Sequence, residues 1–307
     1  MGTSSVLDKG SFRFSLHTAR GYGFEGGHLE TKGLDLNGQV VSVPFHRHEV
    51  SLDYLRLELE LEYAFKDSWV LVLRVPYDIK NQKTEVSFIE PATAGEKQKM
   101  LKNGYIHHRS ETHRGISDLM LLATHWKQNL FHEGDSLSLS LGTTLPTGKT
   151  EEDPFRLGDN GLQHLHIQFG TGTFDPLLEL NYRVPVAGRL RLAAYALGRF
   201  PVYENSKTYQ GPVESTFGVL LGYNLNSRIS LHVNGTAYYQ NFAYWDGERD
   251  INSGLVAMSS LFGMSVKAWE GATLGIDLRY PLSQRTLSEG DAFKRGPTLL
   301  CRISWEM

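Results

Sequence analysis

Histidines are concentrated in three short segments of this chain. The segments contain His46 and His48 in FHRH, then His107, His108 and His113 in YIHHRSETH, then His164 and His166 in LQHLHIQ. Two imidazoles at alternate positions of an extended segment share a face, and imidazole is a common ligand of borderline metal ions. Loops of a membrane protein are also simply polar, and this explanation is favoured over metal binding for each segment, so the sequence predicts no metal site and no cofactor. Five histidines stay as candidates: His107, His108, His113, His164 and His166.

The third segment belongs to a longer stretch, 147–172, that combines turn-forming Gly, Asp and Asn with carboxylates and an apolar run. Its spacing matches no calcium-binding loop. We expect it to fold into the mouth of a channel as a constriction or to bind a ligand. The residues expected to do so are Asp153, Asp159, His164 and His166.

The elements that would carry these segments are β-strands. From Leu55 to Tyr63 every second residue is apolar and every residue between is charged, which places leucines on one face of a strand and charges on the other. Helical periodicity is not evident in any long segment. The same alternation predicts about twelve strands, at 11–20, 49–65, 68–79, 115–127, 135–146, 173–184, 188–200, 214–225, 228–241, 253–267, 270–281 and 297–306.

Short and long connections alternate strictly between these strands. The short ones have two to seven residues, whereas the long ones include 21–48, 80–114 and 147–172. Short periplasmic turns and long extracellular loops are typical of an antiparallel up-and-down barrel in the outer membrane of a Gram-negative bacterium, in contact with lipid. Aromatic residues near strand ends fit interfacial girdles. We expect an N-terminal extension at 1–10, a single barrel at 11–307, and a mature form without signal peptide.

Composition narrows the alternatives. The net charge of −3 gives no basic footprint for nucleic acid, and one cysteine, Cys301, excludes a disulfide framework. The sequence contains no run of about 18 apolar residues, so it predicts no membrane-spanning helix. A soluble β-sandwich remains an alternative, since its strands also alternate.

If the leucines face lipid, the charged face lines the lumen. Arginines then predominate on the sixth and seventh predicted strands and glutamates on the second, a transverse field that would select charged solutes. Alternatively the charges pair and fill a small lumen. The expected lumen-lining residues are Arg56, Glu58, Glu60, Arg74, Asp175, Glu179, Arg183, Arg189, Arg191, His232, Asp277 and Arg279.

One further class is a lipid-directed hydrolase of the outer membrane, which needs a nucleophile, a histidine and an orienting residue. The combinations that the spacing offers are His125 with Ser117 and Asp118, and His232 with Ser230 and Asn234. Neither is a hydrolase motif, and no phosphate loop or dinucleotide fingerprint occurs. The sequence therefore predicts no catalytic residue.

Two short motifs carry a family resemblance. Gly115 to Leu119 reads GISDL at the start of one strand, and Leu145 to Gly148 reads LPTG at the end of the next. With these motifs the chain resembles the outer-membrane transporter family of the phenol meta-pathway degradation type. The resemblance implies a barrel that passes small, aromatic or apolar molecules, and it implies no catalytic residues.

Two functions follow as hypotheses. The first is a channel or transporter that passes small solutes through a narrow, charged lumen. The second is a closed barrel that binds a metal, a ligand or a periplasmic or cell-surface protein partner through its histidine-rich loops.

Overall fold

A computed structural model describes residues 7–288 and 294–307. The strands within these ranges are β1 (Phe12–Leu34), β2 (Val40–Lys66), β3 (Trp69–Phe88), β4 (Glu111–Ile116), β5 (Leu119–Gln128), β6 (Ser136–Leu145), β7 (Pro176–Ala187), β8 (Leu190–Arg199), β9 (Tyr209–Gln210), β10 (Glu214–Asn224), β11 (Ile229–Gln240), β12 (Tyr244–Trp245), β13 (Glu248–Arg249), β14 (Leu255–Trp269), β15 (Ala272–Thr286) and β16 (Thr298–Glu306). The helices are α1 (Ala94–His107) and α2 (Pro154–Asp159).

Thirteen of these strands form one closed sheet. Its order is β2, β1, β16, β15, β14, β11, β10, β8, β7, β6, β5, β3 and β4, and a β2–β3 pairing closes it. Every pairing is antiparallel. β4 and β5 both pair with β3, one above the other, so the barrel has twelve strand positions. The predicted twelve-stranded antiparallel barrel is therefore confirmed.

The apolar face of each strand points out of the barrel. Leucines, valines and aromatics of this face are among the exposed large hydrophobic side chains, for example Leu59, Leu71, Leu141, Leu180, Phe217, Val233 and Ile276. On β14 the outward residues are Met258, Phe262 and Met264, while Leu261 faces inward and is buried. An apolar outer belt suits contact with the hydrocarbon of a membrane. Because the barrel is closed, its strands pair on both sides and leave no row of unpaired backbone groups facing lipid.

Aromatic side chains mark the end of the barrel where the short turns lie. Phe12 begins β1, Phe65 and Trp69 flank the β2–β3 turn, and Trp269 and Trp305 lie at the ends of β14 and β16; all five are exposed. Such a girdle is typical of a membrane–water interface.

Three strands extend beyond the opposite end. β1 pairs with β16 only as far as Gly21, and its remaining residues pair mainly with β2. About ten residues suffice to span the hydrocarbon, so the outer parts of β1, β2 and β3 stand outside it. Most of 21–48 is therefore strand, where the sequence predicts a loop. The prediction was wrong because glycine-rich residues obscure the alternation of apolar and polar residues there.

Helix α1 lies against this extension, in a part of the chain where the sequence shows no evident helical periodicity. Thr93 accepts a hydrogen bond from the Glu96 backbone N–H, and the Glu96 carboxylate accepts one from the Thr93 backbone N–H. This capping box is a start signal that the sequence contains. Met100, on the packed side of α1, is fully buried. No helix within the described ranges is long and apolar enough to cross a membrane.

The chain before β1 packs into the barrel. Leu7 is 4% exposed and belongs to an apolar cluster with Ala64, Val70, Val72 and Leu122. Gly10 N–H donates to the Ala64 carbonyl at 2.8 Å. Of the predicted extension 1–10, residues 1–6 lie outside the described ranges, and so do residues 289–293 of the last predicted loop.

Candidate functional site

The charged face of β2 lines the lumen. Glu60 and Glu62 are buried, whereas Leu59, next to Glu60 in the strand, is half exposed on the outside. The buried carboxylates are paired: Arg13 of β1 donates to Glu62 at 2.6 Å, and Arg74 of β3 donates to Glu60 at 2.7 Å. The charges of the opening pattern thus face inward and are neutralised by neighbouring strands.

One ion pair crosses the lumen. Arg74 also donates to both carboxylate oxygens of Glu179 on β7. β5 and β6 separate β3 from β7 in the sheet, so this contact spans a chord of the barrel instead of joining adjacent strands. The Glu60, Arg74 and Glu179 side chains therefore form a bar that narrows the passage.

A second group of ion pairs joins the first strand to the last, and we call this junction the Arg13 seam. Arg13 donates to Glu306 of β16 at 3.0 Å as well as to Glu62 of β2. Because β1 lies between β2 and β16, one guanidinium ties three adjacent strands together near the periplasmic end.

The other predicted lumen residues follow the same register with one exception. Arg56 forms a two-point ion pair with Asp78 at 2.7 Å, and His232 contacts Asp277 at 2.6 Å. Arg189 instead lies in the β7–β8 turn and donates to the Leu225 carbonyl. The remaining lumen-facing residues of the prediction are Glu58, Arg183, Arg191 and Arg279, which pair in register with inward residues of adjacent strands.

Asp175 lies where the outer loops enter the barrel. Its side chain is fully buried and accepts hydrogen bonds from the Thr171 and Thr173 hydroxyls at 2.8 and 2.5 Å. The Arg199 guanidinium lies 3.7 Å from the Asp175 carboxylate and 3.4 Å from the Glu214 carboxylate. Asp175 thus fixes the end of the 147–172 segment to the barrel wall.

Two parts of the lumen are filled differently. On β3 and β6 inward side chains pack closely: Val72 of β3 and Ser138 and Ser140 of β6 are nearly inaccessible. On β8, Leu197 faces the lumen because it pairs with Glu179 and Thr216, yet it is 36% exposed. A lumen-facing leucine with that exposure requires water-accessible space beside it.

The family-like motifs meet at the outer rim. Asp118 accepts from the Gly148 backbone N–H at 2.9 Å and from the Thr171 N–H at 2.8 Å. Thr147 accepts from the Leu119 N–H at 3.1 Å. A side chain at Gly148 would lie 2.6 Å from backbone atoms of Phe169 and Gly170, so glycine is needed there. We call Ser117 to Leu119, Thr147, Gly148 and Thr171 the rim latch.

The two combinations of residues that the sequence spacing offered for a hydrolase do not assemble. Ser117 donates to Asp78 at 2.6 Å, while His125 lies against Trp69 at the opposite end of the strand. Ser230 bonds with Asn224, and His232 with Asp277. At these two places the described residues form structural hydrogen bonds and no nucleophile–histidine pair.

Above the barrel, seven histidines come together, and we call them the outer histidine cluster. They come from β1, β2, the C-terminal end of α1 and the 147–172 segment: His28, His46, His48, His107, His108, His164 and His166. β2 pairs with β3 without a register shift from His46 to Tyr63. His46 and His48 therefore lie on the same face of β2 as Glu60 and Glu62, which places the cluster on the lumen side of the extension.

The rings are mutual neighbours. Ring centroids lie 4.5 Å apart for His107 and His164, 5.2 Å for His28 and His48, and 5.3 Å for His108 and His166. His164 is held in place by its backbone N–H, which donates to the Ile106 carbonyl at 3.1 Å. That bond joins the 147–172 segment to the last turn of α1.

Burial favours the neutral form of five of these imidazoles. Burial, together with nearby imidazoles, lowers the pKa of His48 and His166 to about 3. The pKa of His107, His108 and His164 is lowered as well, mainly by burial. Neutral imidazole is the form that binds metal ions.

Four of the five histidine candidates are thus in the cluster, while His113 lies apart beside Glu111 at 3.3 Å. The predicted loop residues separate: Asp153 caps α2, and Asp159 forms an ion pair with Lys32 of β1 at 2.7 Å. Sequence reasoning missed His28, because it stands alone in the sequence and joins the cluster only by pairing opposite His48.

Closed antiparallel pairing, an apolar outer belt and a polar lumen define an outer-membrane β-barrel. The chain is similar over its whole length to an outer membrane channel from Pseudomonas putida F1, with a TM-score of 0.62, 14% identity and coverage of 98% of this chain and 97% of that one. At this identity the likeness establishes the fold.

Two further solved structures are more distant. They are the NanC porin, at TM-score 0.44, 9% identity and coverage of 93% and 100%, and the P. putida toluene transporter TodX, at TM-score 0.43, 8% identity and coverage of 97% and 90%. No family model and no curated protein matches the chain.

Proposed function

We propose that the protein is an outer-membrane channel for small polar or charged solutes. The observation that carries the proposal is the exposure of lumen-facing Leu197, which indicates water-accessible space beside the β8 wall. The similar fold of an outer membrane channel supports it.

The charges of the lumen support a choice of solute. Arg183 and Arg191 lie on β7 and β8, and Glu60 lies on β2. Glu60 is buried and paired with Arg74, so a solute beside β7 and β8 would pass along a wall that carries the positive charges of Arg183 and Arg191. Such a field orients and selects charged groups. Passage of aromatic molecules, and membership of the phenol meta-pathway type, rest on the rim-latch motifs alone. A protein partner stays a prediction.

Single-channel recording in a planar bilayer under a salt gradient tests the proposal. We expect discrete current steps, and we expect Arg183→Ala with Arg191→Ala to shift the reversal potential toward cation selectivity. The matched control is Arg189→Ala with Arg228→Ala, which removes the same charge from exposed turns and should leave the reversal potential unchanged.

Insertion shown by heat-shifted gel mobility, without current, would overturn the channel and favour the closed binding barrel. An equal shift in both double variants would show that the selectivity comes from overall charge and not from the lumen.

A further inference from the structure

We propose that the outer histidine cluster binds late first-row divalent metal ions, of the class of Zn²⁺, Ni²⁺ and Cu²⁺, with two sets of three imidazoles. One set is His107, His164 and His166, and the other is His28, His48 and His108. Within each set the possible ligand atoms lie within 4.8 Å of one another. The sets share no residue, so they are able to bind two ions.

The distances are close to those of a bound site. With Zn–N bonds of about 2.0 to 2.1 Å, two ligand nitrogens of a tetrahedral ion lie about 3.4 Å apart. Each set therefore needs ring movements of about 1 Å, which side-chain rotation supplies. Three imidazoles leave the fourth position to water or to a passing ligand.

Hydrogen bonds between imidazoles explain only part of the cluster. The Nε2 atoms of His46 and His48 lie 3.1 Å apart, and His107 contacts His164. However, Nδ1 of His48 and Nε2 of His108 are buried and have no hydrogen-bond partner. Buried polar atoms are normally satisfied, and these two belong to the same set. A metal ion would supply the missing partner.

The outer contacts also suit metal ligands. Nδ1 of His164 lies 2.8 Å from the Leu162 carbonyl, so the ring can donate there and present Nε2 to an ion. A ligating histidine usually donates its second ring nitrogen in this way. Among the described residues, Glu30 is the one carboxylate that lies close enough to the cluster to share a metal ion with it, beside His28 and His107. Nitrogen ligands favour borderline ions over Ca²⁺ and Mg²⁺, which need oxygen.

The ligands come from four separate segments, so a bound ion would join the β1–β2 extension, α1 and the 147–172 segment. We therefore expect metal to protect this outer cover from proteolysis. This proposal does not depend on conduction: a protein that binds metal and passes no current leaves it standing, whereas one that conducts and binds no metal overturns it alone.

Titration calorimetry with ZnCl₂ on the full chain, folded in detergent and produced without a polyhistidine tag, tests the proposal. We expect two equivalents of Zn²⁺ and no binding of Ca²⁺. His166→Gln and His108→Gln should each remove one equivalent, with at least about a 100-fold loss of affinity at that set, since even outer contacts of ligands are worth 10- to 100-fold. His113→Gln and His132→Gln, outside the cluster, should retain both equivalents.

Unchanged binding in both cluster variants, or equal binding of Ca²⁺, would overturn the proposal. Loss of all binding in either variant would overturn the two-set arrangement in favour of one shared site. If the variants fail to show heat-shifted mobility, the wild-type protein still decides the question. The electron paramagnetic resonance spectrum of its Cu²⁺ complex should show coupling to several imidazole nitrogens, and its absence would refute the site.

Discussion

In the lumen, partly buried Arg74 lies between the carboxylates of Glu60 and Glu179, whereas at the outer mouth buried His48 lies among other imidazoles. The first region is a set of opposite charges that neutralise one another. The second is a set of like groups that are neutral because burial disfavours their protonation. A lumen side chain therefore depends on its partners, while a cluster side chain remains available to an outside ligand.

The largest expected difference concerns stability. Arg74→Met leaves the buried carboxylate of Glu60 and the partly buried carboxylate of Glu179 without their cation, and removing one partner of a buried ion pair costs about 3 to 5 kcal/mol. His48→Leu in the metal-free protein removes a neutral group, and we expect a cost of about 1 kcal/mol, the scale of one hydrogen bond. Urea unfolding of the two variants in detergent measures both.

A rescue variant sharpens this test. Arg74→Met combined with Glu60→Gln and Glu179→Gln removes the whole charged bar, so it should recover most of the lost stability. Equal losses for Arg74→Met and His48→Leu, or no recovery in the triple variant, would contradict the difference between the two regions.

An effect confined to the outer rim is expected at the rim latch, which joins the barrel wall to the 147–172 segment. Asp118→Ala removes the acceptor of Gly148 and Thr171, and hydrogen bonds to a charged group contribute about 1.5 to 3 kcal/mol each. We expect faster proteolysis within 147–172 and weaker Zn²⁺ binding, with lumen selectivity unchanged. Asp153→Ala removes only the cap of the short helix α2, at about 1 kcal/mol, and is the control. A change in selectivity alone would contradict this role.

The sequence predicted the barrel better than the cluster, for a physical reason. A strand that faces lipid and a lumen must alternate at every step, so Leu55 to Tyr63 carry the inside and outside assignments in their own order. The cluster instead depends on contacts between distant segments. The β1–β2 register and the position of α1 determine which histidines come into contact. Neither can be predicted from the sequence separation of His28 and His166.

The same distinction holds for single residues. Arg189 was predicted to line the lumen but lies in a turn. The alternation of apolar and polar residues defines strand ends only to within a few positions. Helix α1 was missed although Thr93 and Glu96 form a capping box, because its polar sequence lacks a strong apolar stripe.

The smallest expected effect is at the surface of the cluster. Lys32 and Asp159 join β1 to the segment of α2, but both are exposed, and such pairs contribute about 0 to 1 kcal/mol. Lys32→Ala should speed proteolysis of 147–172 only slightly. The hydrogen bond with the Asp159 carboxylate raises the pKa of Lys32, so this contribution is fully present below the ordinary lysine pKa and is lost as pH rises through the raised pKa. A wild-type protein with unchanged proteolysis at high pH would show that the pair contributes nothing.

The Arg13 seam has a consequence for how the protein is made. Arg13 and Glu306 are 293 residues apart in the chain, so their contact forms only after nearly every residue has been exported. Closing a loop of that length is slow and costly in entropy, and until it closes both edge strands are open to pairing with other chains. The nascent chain must therefore be kept apart from its copies in the periplasm until its two ends meet.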